Sequence, residues 1–142
     1  MPDMPQDRQQ PALFASRGAG RRAQRLLLIE DDAFIASCLA DALGDMGHAV
    51  CAIGATEDEA VTAASAHRPD MILLDGRLQV GTGAAALARI EASGAVAHVF
   101  MTGDPEGILA LWPHAIVLLK PFTDAQLEEA LARAFAAQEA CE

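Results

Sequence analysis

The sequence predicts an α/β protein built on a parallel sheet with helices on both faces. Three observations lead there. Five short apolar runs alternate with five segments of helical spacing along the chain, and regular alternation of this kind means parallel strands joined by crossover helices. The runs are near-continuously apolar rather than alternating, as expected for strands buried on both faces. Several of them end abruptly on a polar residue, and in such sheets the functional crevice lies beyond the carboxyl ends of the strands.

Residues 1–24 are rich in proline, glycine and polar residues, without periodicity, and are read as a flexible N-terminal tail. Residues 25–142 form the domain. Leu26–Ile29 is the first strand. Phe34, Ile35, Cys38, Leu39, Ala42, Leu43 and Met46 then recur at helical spacing, with Asp32 as N-cap and Gly47 as the stop. HAVCAI (48–53) is the second strand. Thr56 and Glu59 have the spacing of a capping box and open the second helix. DMILLD (70–75) is the third strand, followed by a helix over 83–94, and AVAHVFMT (95–102) is the fourth. Asp104–Pro105 starts a short helix, with proline at a first-turn position. HAIVLL (114–119) is the fifth strand. Thr123 and Gln126 cap a last helix over 124–138, with Leu127, Leu131, Ala134 and Phe135 on one face.

The chain has 142 residues, 52% of them hydrophobic and 21% charged, the balance of one globular domain. No apolar run is long enough to span a membrane, and the N-terminus lacks the apolar stretch of a secretion signal. Cys38, Cys51 and Cys141 share no metal-type spacing, so a reduced, cytoplasmic setting is expected. Charge is uneven: the first 25 residues carry five arginines against two aspartates, whereas the remainder is strongly acidic. The acidic body argues against nucleic-acid binding by the domain itself. His48, His67, His98 and His114 show no pairing pattern and are read as structural.

The polar residues at the strand ends form a chemically coherent set. Glu30, Asp31 and Asp32 follow the first strand, Asp75 ends the third, Thr102 the fourth, and Lys120 follows the fifth. Carboxylates crowded at one rim need a compensating cation, and an all-oxygen donor set suits Mg²⁺. An ammonium and a hydroxyl suit phosphoryl oxygens. Asp75 is then the candidate nucleophile, forming an aspartyl phosphate. Asp31 would bind the metal directly and Glu30 through water, while Asp32 is spent as a helix cap. Thr102 would hold a phosphoryl oxygen, and Gly103 would leave room for it.

The stretches LLLIEDD, MILLDGRL, VFMTG and LLKPF, in this order and spacing, resemble the receiver domain of bacterial response regulators. Gly83, eight residues after Asp75, also fits the family pattern. The resemblance covers about residues 25–138 and implies a flavodoxin-like fold with strand order 2-1-3-4-5. It implies phosphotransfer to Asp75, with Mg²⁺, from a histidine kinase or histidine phosphotransfer protein. Glu30 and Asp31 become the acidic pair, and the backbone carbonyl of Arg77 a further metal ligand. Thr102 becomes the switch hydroxyl, and Lys120 the conserved-type lysine joined to Pro121 by a cis peptide. Two positions depart from the family pattern: Gln79 stands where most receivers have proline, and Val117 where many have Tyr or Phe. FMTGD is similar to the signature of FAT-GUY-type single-domain regulators, in which an aromatic, here Phe100, stands two residues before the threonine. Arg77 and Asp104 flank the expected site, and an ion pair between them across its entrance would slow phosphoryl loss.

The last helix is expected to end close to Glu142, so output is expected through protein contact, as a stand-alone switch or as a phosphate sink or shuttle. The family's usual output face is the fourth helix, fifth strand and fifth helix. Here it would present Leu109, Leu111, Trp112 and Ala130, with Trp112 as a possible anchor. No dedicated enzymatic activity is expected. The competing readings are a small Mg²⁺-dependent phosphatase with an aspartyl nucleophile and a receiver-like module that binds partners without phosphate. Against the first, Asp75 is followed by Gly76 and Arg77 rather than by a D-x-D pair; against the second, Asp31, Asp75, Thr102 and Lys120 are all present. A flavin-binding flavodoxin is a weaker alternative, because no phosphate-binding loop follows the first strand.

Overall fold

The computed structural model describes residues 24–141. Leu26, Leu27, Leu28 and Ile29 are fully buried, which only a strand covered on both faces permits. They belong to β1 (Arg25–Ile29), which runs between β2 (Ala49–Gly54) and β3 (Met71–Asp75). Beyond β3 lie β4 (Ala97–Thr102) and β5 (Val117–Leu119). All neighbouring strands pair in parallel, in the order β2-β1-β3-β4-β5. This is the doubly wound, flavodoxin-like order expected. The chain direction across the sheet reverses between β1 and β3, and a crevice opens at the carboxyl ends of strands at such a switch point.

Successive strand residues face opposite sides, and this divides the core in two. Leu26, Leu28, Met71, Leu73, Val99 and Met101 pack with Leu39 and Leu43 of α1 (Ala33–Asp45) and with Leu127, Leu131 and Phe135 of α5 (Asp124–Cys141). Leu27, Ile29, Ile72, Leu74 and Phe100 pack on the other side. There they meet Ala60 of α2 (Glu57–His67), Leu87 of α3 (Gly83–Glu91) and Ile108 of α4 (Pro105–Leu111).

Local chemistry explains the helix starts. Asp32 Oδ1 accepts from the N–H groups of Phe34 and Ile35. Thr56 and Glu59 cap α2, although the Glu59 carboxylate reaches the N–H of Ala55, one residue before the cap. Asp104 caps α4 with Pro105 in the first turn. Thr123 and Gln126 bond each other's N–H groups at the start of α5. Thr82 caps α3, a role the sequence reading did not assign.

Five expectations need adjusting. The buried face of α1 is Ala36, Leu39 and Leu43, whereas Phe34 is 77% exposed and Ile35 and Cys38 are also exposed. At about 100° per residue, Phe34 points away from the buried trio. β5 is shorter than HAIVLL, since only Val117–Leu119 pairs with β4. α3 ends at Glu91, whereas α5 continues to Cys141. Gln24, assigned to the tail, is buried, and its N–H donates to His48 Nδ1 at 3.1 Å. The rest of the expected tail, residues 1–23, lies outside the described residues. Among the described residues, no helix is long and apolar enough to cross a membrane.

α2 ends on Arg68, a non-glycine residue in the left-handed region with φ 48°. Such a conformation costs an L-residue roughly 1 kcal/mol, which glycine avoids. The contacts of Arg68 use its backbone: its N–H donates to the Ala64 carbonyl at 3.0 Å and its carbonyl accepts from Arg25 Nη1 at 3.0 Å, so they survive substitution. Arg68→Gly is therefore expected to stabilise the protein by about 0.5 kcal/mol, after the greater freedom of glycine in the unfolded chain is deducted. Urea denaturation checks this, and a lower midpoint would refute it.

Candidate functional site

β1 and β3 are hydrogen-bonded neighbours, so the residues that follow Ile29 and end β3 must meet. Glu30, Asp31 and Asp75 each offer a carboxylate oxygen, and these oxygens all lie within 4.8 Å of one another. Glu30 and Asp75 are buried, 2% and 6% exposed, while Asp31 is exposed. The three stand at the floor of a cleft of about 480 Å³ that Asp32, Ile35, Arg77, Leu78, Thr102, Gly103, Asp104 and Lys120 also line.

Asp75 is held at both oxygens. Lys120 Nζ donates to Oδ2 at 2.9 Å, and the Arg77 N–H donates to Oδ1 at 3.2 Å. Lys120 reaches the cleft because β5 pairs with β4: its backbone N–H donates to the Thr102 carbonyl at 2.9 Å. The peptide between Lys120 and Pro121 is cis, as the family resemblance implies. Thr102 Oγ1 accepts from the Asp104 N–H at 2.9 Å, which leaves its own proton free to point into the cleft. Gly103 is exposed, and a Cβ there would meet nothing within 4 Å. The room attributed to this glycine is thus simply open solvent.

Glu30 is the electrostatic anomaly of the site. Its Oε2 accepts from the Asp32 N–H at 3.1 Å, but Oε1 is buried with no hydrogen-bond partner among the described residues. Burial, first, and the neighbouring Asp75 carboxylate push its pKa from the usual 4.5 up to about 7, against the opposing effects of the Asp32 N–H and Lys120. Among the described residues, a buried oxygen without a partner stands in a group of three carboxylates beside the Lys120 ammonium, which is what a hard cation would relieve. The all-oxygen donors suit Mg²⁺. Glu30, Asp31 and Asp75 fit that ion, and Arg77 lies on the same cleft wall.

Other expected residues fall differently. Phe100 is fully buried on the α2–α3–α4 side, opposite Val117 of β5. Its ring lies 5.8 Å from that of His98 and 6.4 Å from that of Trp112. Trp112 ends α4, is partly exposed, and packs its ring against His98 and Phe100 of β4. Ala130 is on the buried, core-facing side of α5, whereas Leu109, Leu111 and Leu119 are exposed on the expected output face. The Arg77–Asp104 ion pair does not form among the described residues. Asp104 instead uses its carboxylate to cap α4, accepting from the Gly107 N–H, and Arg77 stays exposed at the cleft. Ile35 and Leu78 also line the cleft; no sequence signal separates them from ordinary apolar residues.

The family model of the response regulator receiver domain matches residues 26–132. The chain belongs to that family and is a receiver domain of a signal-transduction system. It is 32% identical over 120 residues to the phyllosphere-induced regulator PhyR of Methylorubrum extorquens, which covers 82% of this chain and 45% of PhyR. The solution structure of the Erythrobacter litoralis PhyR receiver domain matches with a TM-score of 0.74 and 26% identity, over 80% of this chain and 91% of that one. A variant of the anti-anti-sigma factor PhyR from Bartonella quintana matches with a TM-score of 0.77 and 26% identity, over 90% of this chain and 55% of that one. The chain thus spans about half the length of the full PhyR proteins it matches.

Proposed function

We propose that this protein is a phosphorylation-controlled signalling module that accepts a phosphoryl group on Asp75 from a histidine kinase or a histidine phosphotransfer protein. The observation that carries this reading is the contact of Lys120 Nζ with Asp75 Oδ2 at 2.9 Å, beside the Glu30 and Asp31 carboxylates. Glu30, Asp31, Asp75 and the Arg77 carbonyl are the groups we assign to Mg²⁺, which supplies positive charge toward phosphoryl oxygens. An Asp75 oxygen forms the new O–P bond as the N–P bond to the donor imidazole breaks, and the imidazole nitrogen keeps the electron pair. Lys120 offsets the charge carried over with the phosphoryl group, and the Thr102 hydroxyl donates to one of its oxygens.

We assign no dedicated enzymatic activity: the chain promotes only its own phosphotransfer and dephosphorylation. Output runs through protein contact at α4, β5 and α5, or the chain serves as a phosphate sink or shuttle. One PhyR relative is described as an anti-anti-sigma factor, which makes a protein that restrains a sigma factor the partner class to test first. We place the protein in the cytoplasm.

The test is the melting temperature with Mg²⁺, with and without beryllofluoride as a phosphoryl mimic, in wild type and Asp75→Ala. Ligand binding to the folded state raises stability by mass action. A rise of several degrees in wild type, absent in the variant, is expected. No rise in either protein would favour a phosphate-independent binding module. Steady turnover of p-nitrophenyl phosphate that disappears in Asp75→Ala would favour the phosphatase.

A further inference from the structure

Residues 76–82 leave β3, pass beside the cleft and return to α3. Their cleft side is tied down locally: Arg77 pairs with Thr82 in an isolated antiparallel bridge, and the Gly83 N–H donates to the Gly76 carbonyl at 3.2 Å. Their outer side rests on α2. The Glu57 N–H, in the first helical turn and without a partner inside its own helix, donates to the Val80 carbonyl at 3.0 Å.

The Glu57 side chain completes this contact. Gly81 has φ +87°, and a Cβ added to it would overlap the Glu57 carboxylate and come within 2.7 Å of the Glu57 Cβ. The carboxylate is gripped from the other direction by Arg89 of α3. Arg89 Nη1 donates to Glu57 Oε2 at 3.0 Å and to Asp58 Oδ1 at 2.7 Å. The Glu57 side chain is 22% exposed and that of Asp58 86% exposed, so Glu57 is the packed member. α2 and α3 are thereby bolted together behind the loop that carries Arg77.

We infer that Arg89 and Glu57 are positioning residues for the divalent cation: their clamp holds Val80 and Gly81 in place, and through them the Arg77 carbonyl at the cleft. The inference rests on the cation-binding reading proposed above. An exposed ion pair adds little to global stability, so the effect of this one is local to the loop it braces. Partners just outside a metal's ligands typically govern affinity by 10- to 100-fold; this clamp acts one contact further out, which puts its effect at about three- to tenfold.

The experiment is calorimetric titration of Mg²⁺ into wild type, Arg89→Ala, Arg89→Lys and Gly81→Ala, with hydrogen exchange at the Glu57 amide in Mg²⁺-free protein. Arg89→Ala removes a positive charge, which by field alone would tighten Mg²⁺ binding. The clamp requires the opposite: binding weaker by about three- to tenfold, faster exchange at Glu57, and a Mg²⁺-free melting temperature within about 2 °C of wild type. Arg89→Lys should recover part of the affinity, because its ammonium can still pair with the Glu57 carboxylate, although without the planar guanidinium. Gly81→Ala should weaken binding with no change of charge. Normal or tighter binding by Arg89→Ala, with wild type binding Mg²⁺, overturns the clamp alone. So does weakened binding that accompanies a large loss of melting temperature and is absent in Gly81→Ala. A wild type that does not bind Mg²⁺ overturns both the clamp and the reading beneath it.

Discussion

Gly83→Ala is expected to destabilise the protein by about 3 kcal/mol, against the normal preference of helices for alanine. Gly83 lies buried in the first turn of α3, and its φ is not in the left-handed region, so its backbone conformation does not demand glycine. The demand is one of contact. A Cβ there would overlap the backbone carbonyl oxygen of Asp75. No flexible side chain can yield, because β3 is hydrogen-bonded on both sides, to β1 and to β4. Either α3 retreats or the end of β3 moves, and the second displaces the phosphoacceptor. The melting temperature should fall by on the order of 10 °C, and the response to Mg²⁺ and beryllofluoride should weaken with it. Alanine that left stability unchanged would show that the helix start can shift freely.

The second large effect is a dependence of stability on pH in the absence of Mg²⁺. The Glu30 pKa is raised from 4.5 to about 7 in the folded protein, so between these values the folded state holds a proton that the unfolded chain releases. The Glu30 contribution to stability is then fully present below pH 4.5 and is lost as pH rises toward and through 7. The shift corresponds to about 2 kcal/mol once the opening of the pocket to water is allowed for. Glu30→Gln keeps the shape and removes the titration. It should flatten this part of the profile and leave the Mg²⁺-free protein more stable than wild type at pH 8. Saturating Mg²⁺ should also flatten the wild-type profile, since the cation favours the ionised carboxylate. Guanidinium denaturation at several pH values measures all of this. A wild-type stability that rises from pH 5 to 7 would contradict the assignment to Glu30.

Much of the fold was legible because it depends on short-range periodicity. Leu26–Ile29 and Met71–Asp75 had to be buried strands, and Asp32, Thr56, Asp104 and Thr123 had to start helices, because caps and apolar runs act within a few residues. Phe34 and Ile35 were misread for the same reason. Helical spacing groups apolar residues, but it does not say which of them meet the sheet. Trp112 could equally have packed inward or stood free; its contacts with His98 and Phe100 on β4 decided it.

The sequence by itself determined which chemical groups end the strands: carboxylates at Glu30, Asp31 and Asp75, a hydroxyl at Thr102 and an ammonium at Lys120. Strand ends are set by local apolar patterning, so that inventory required no coordinates. The family resemblance already implied that β1 lies beside β3, but only the tertiary structure decided that three carboxylates come within 4.8 Å of one another there. The tertiary structure also decided that Glu30 keeps a buried oxygen without a partner among the described residues, that Gly83 touches Asp75, and that Arg89 braces Glu57 across more than thirty residues of chain. Such contacts join segments remote in sequence. They follow from how whole elements pack, and no local periodicity encodes them.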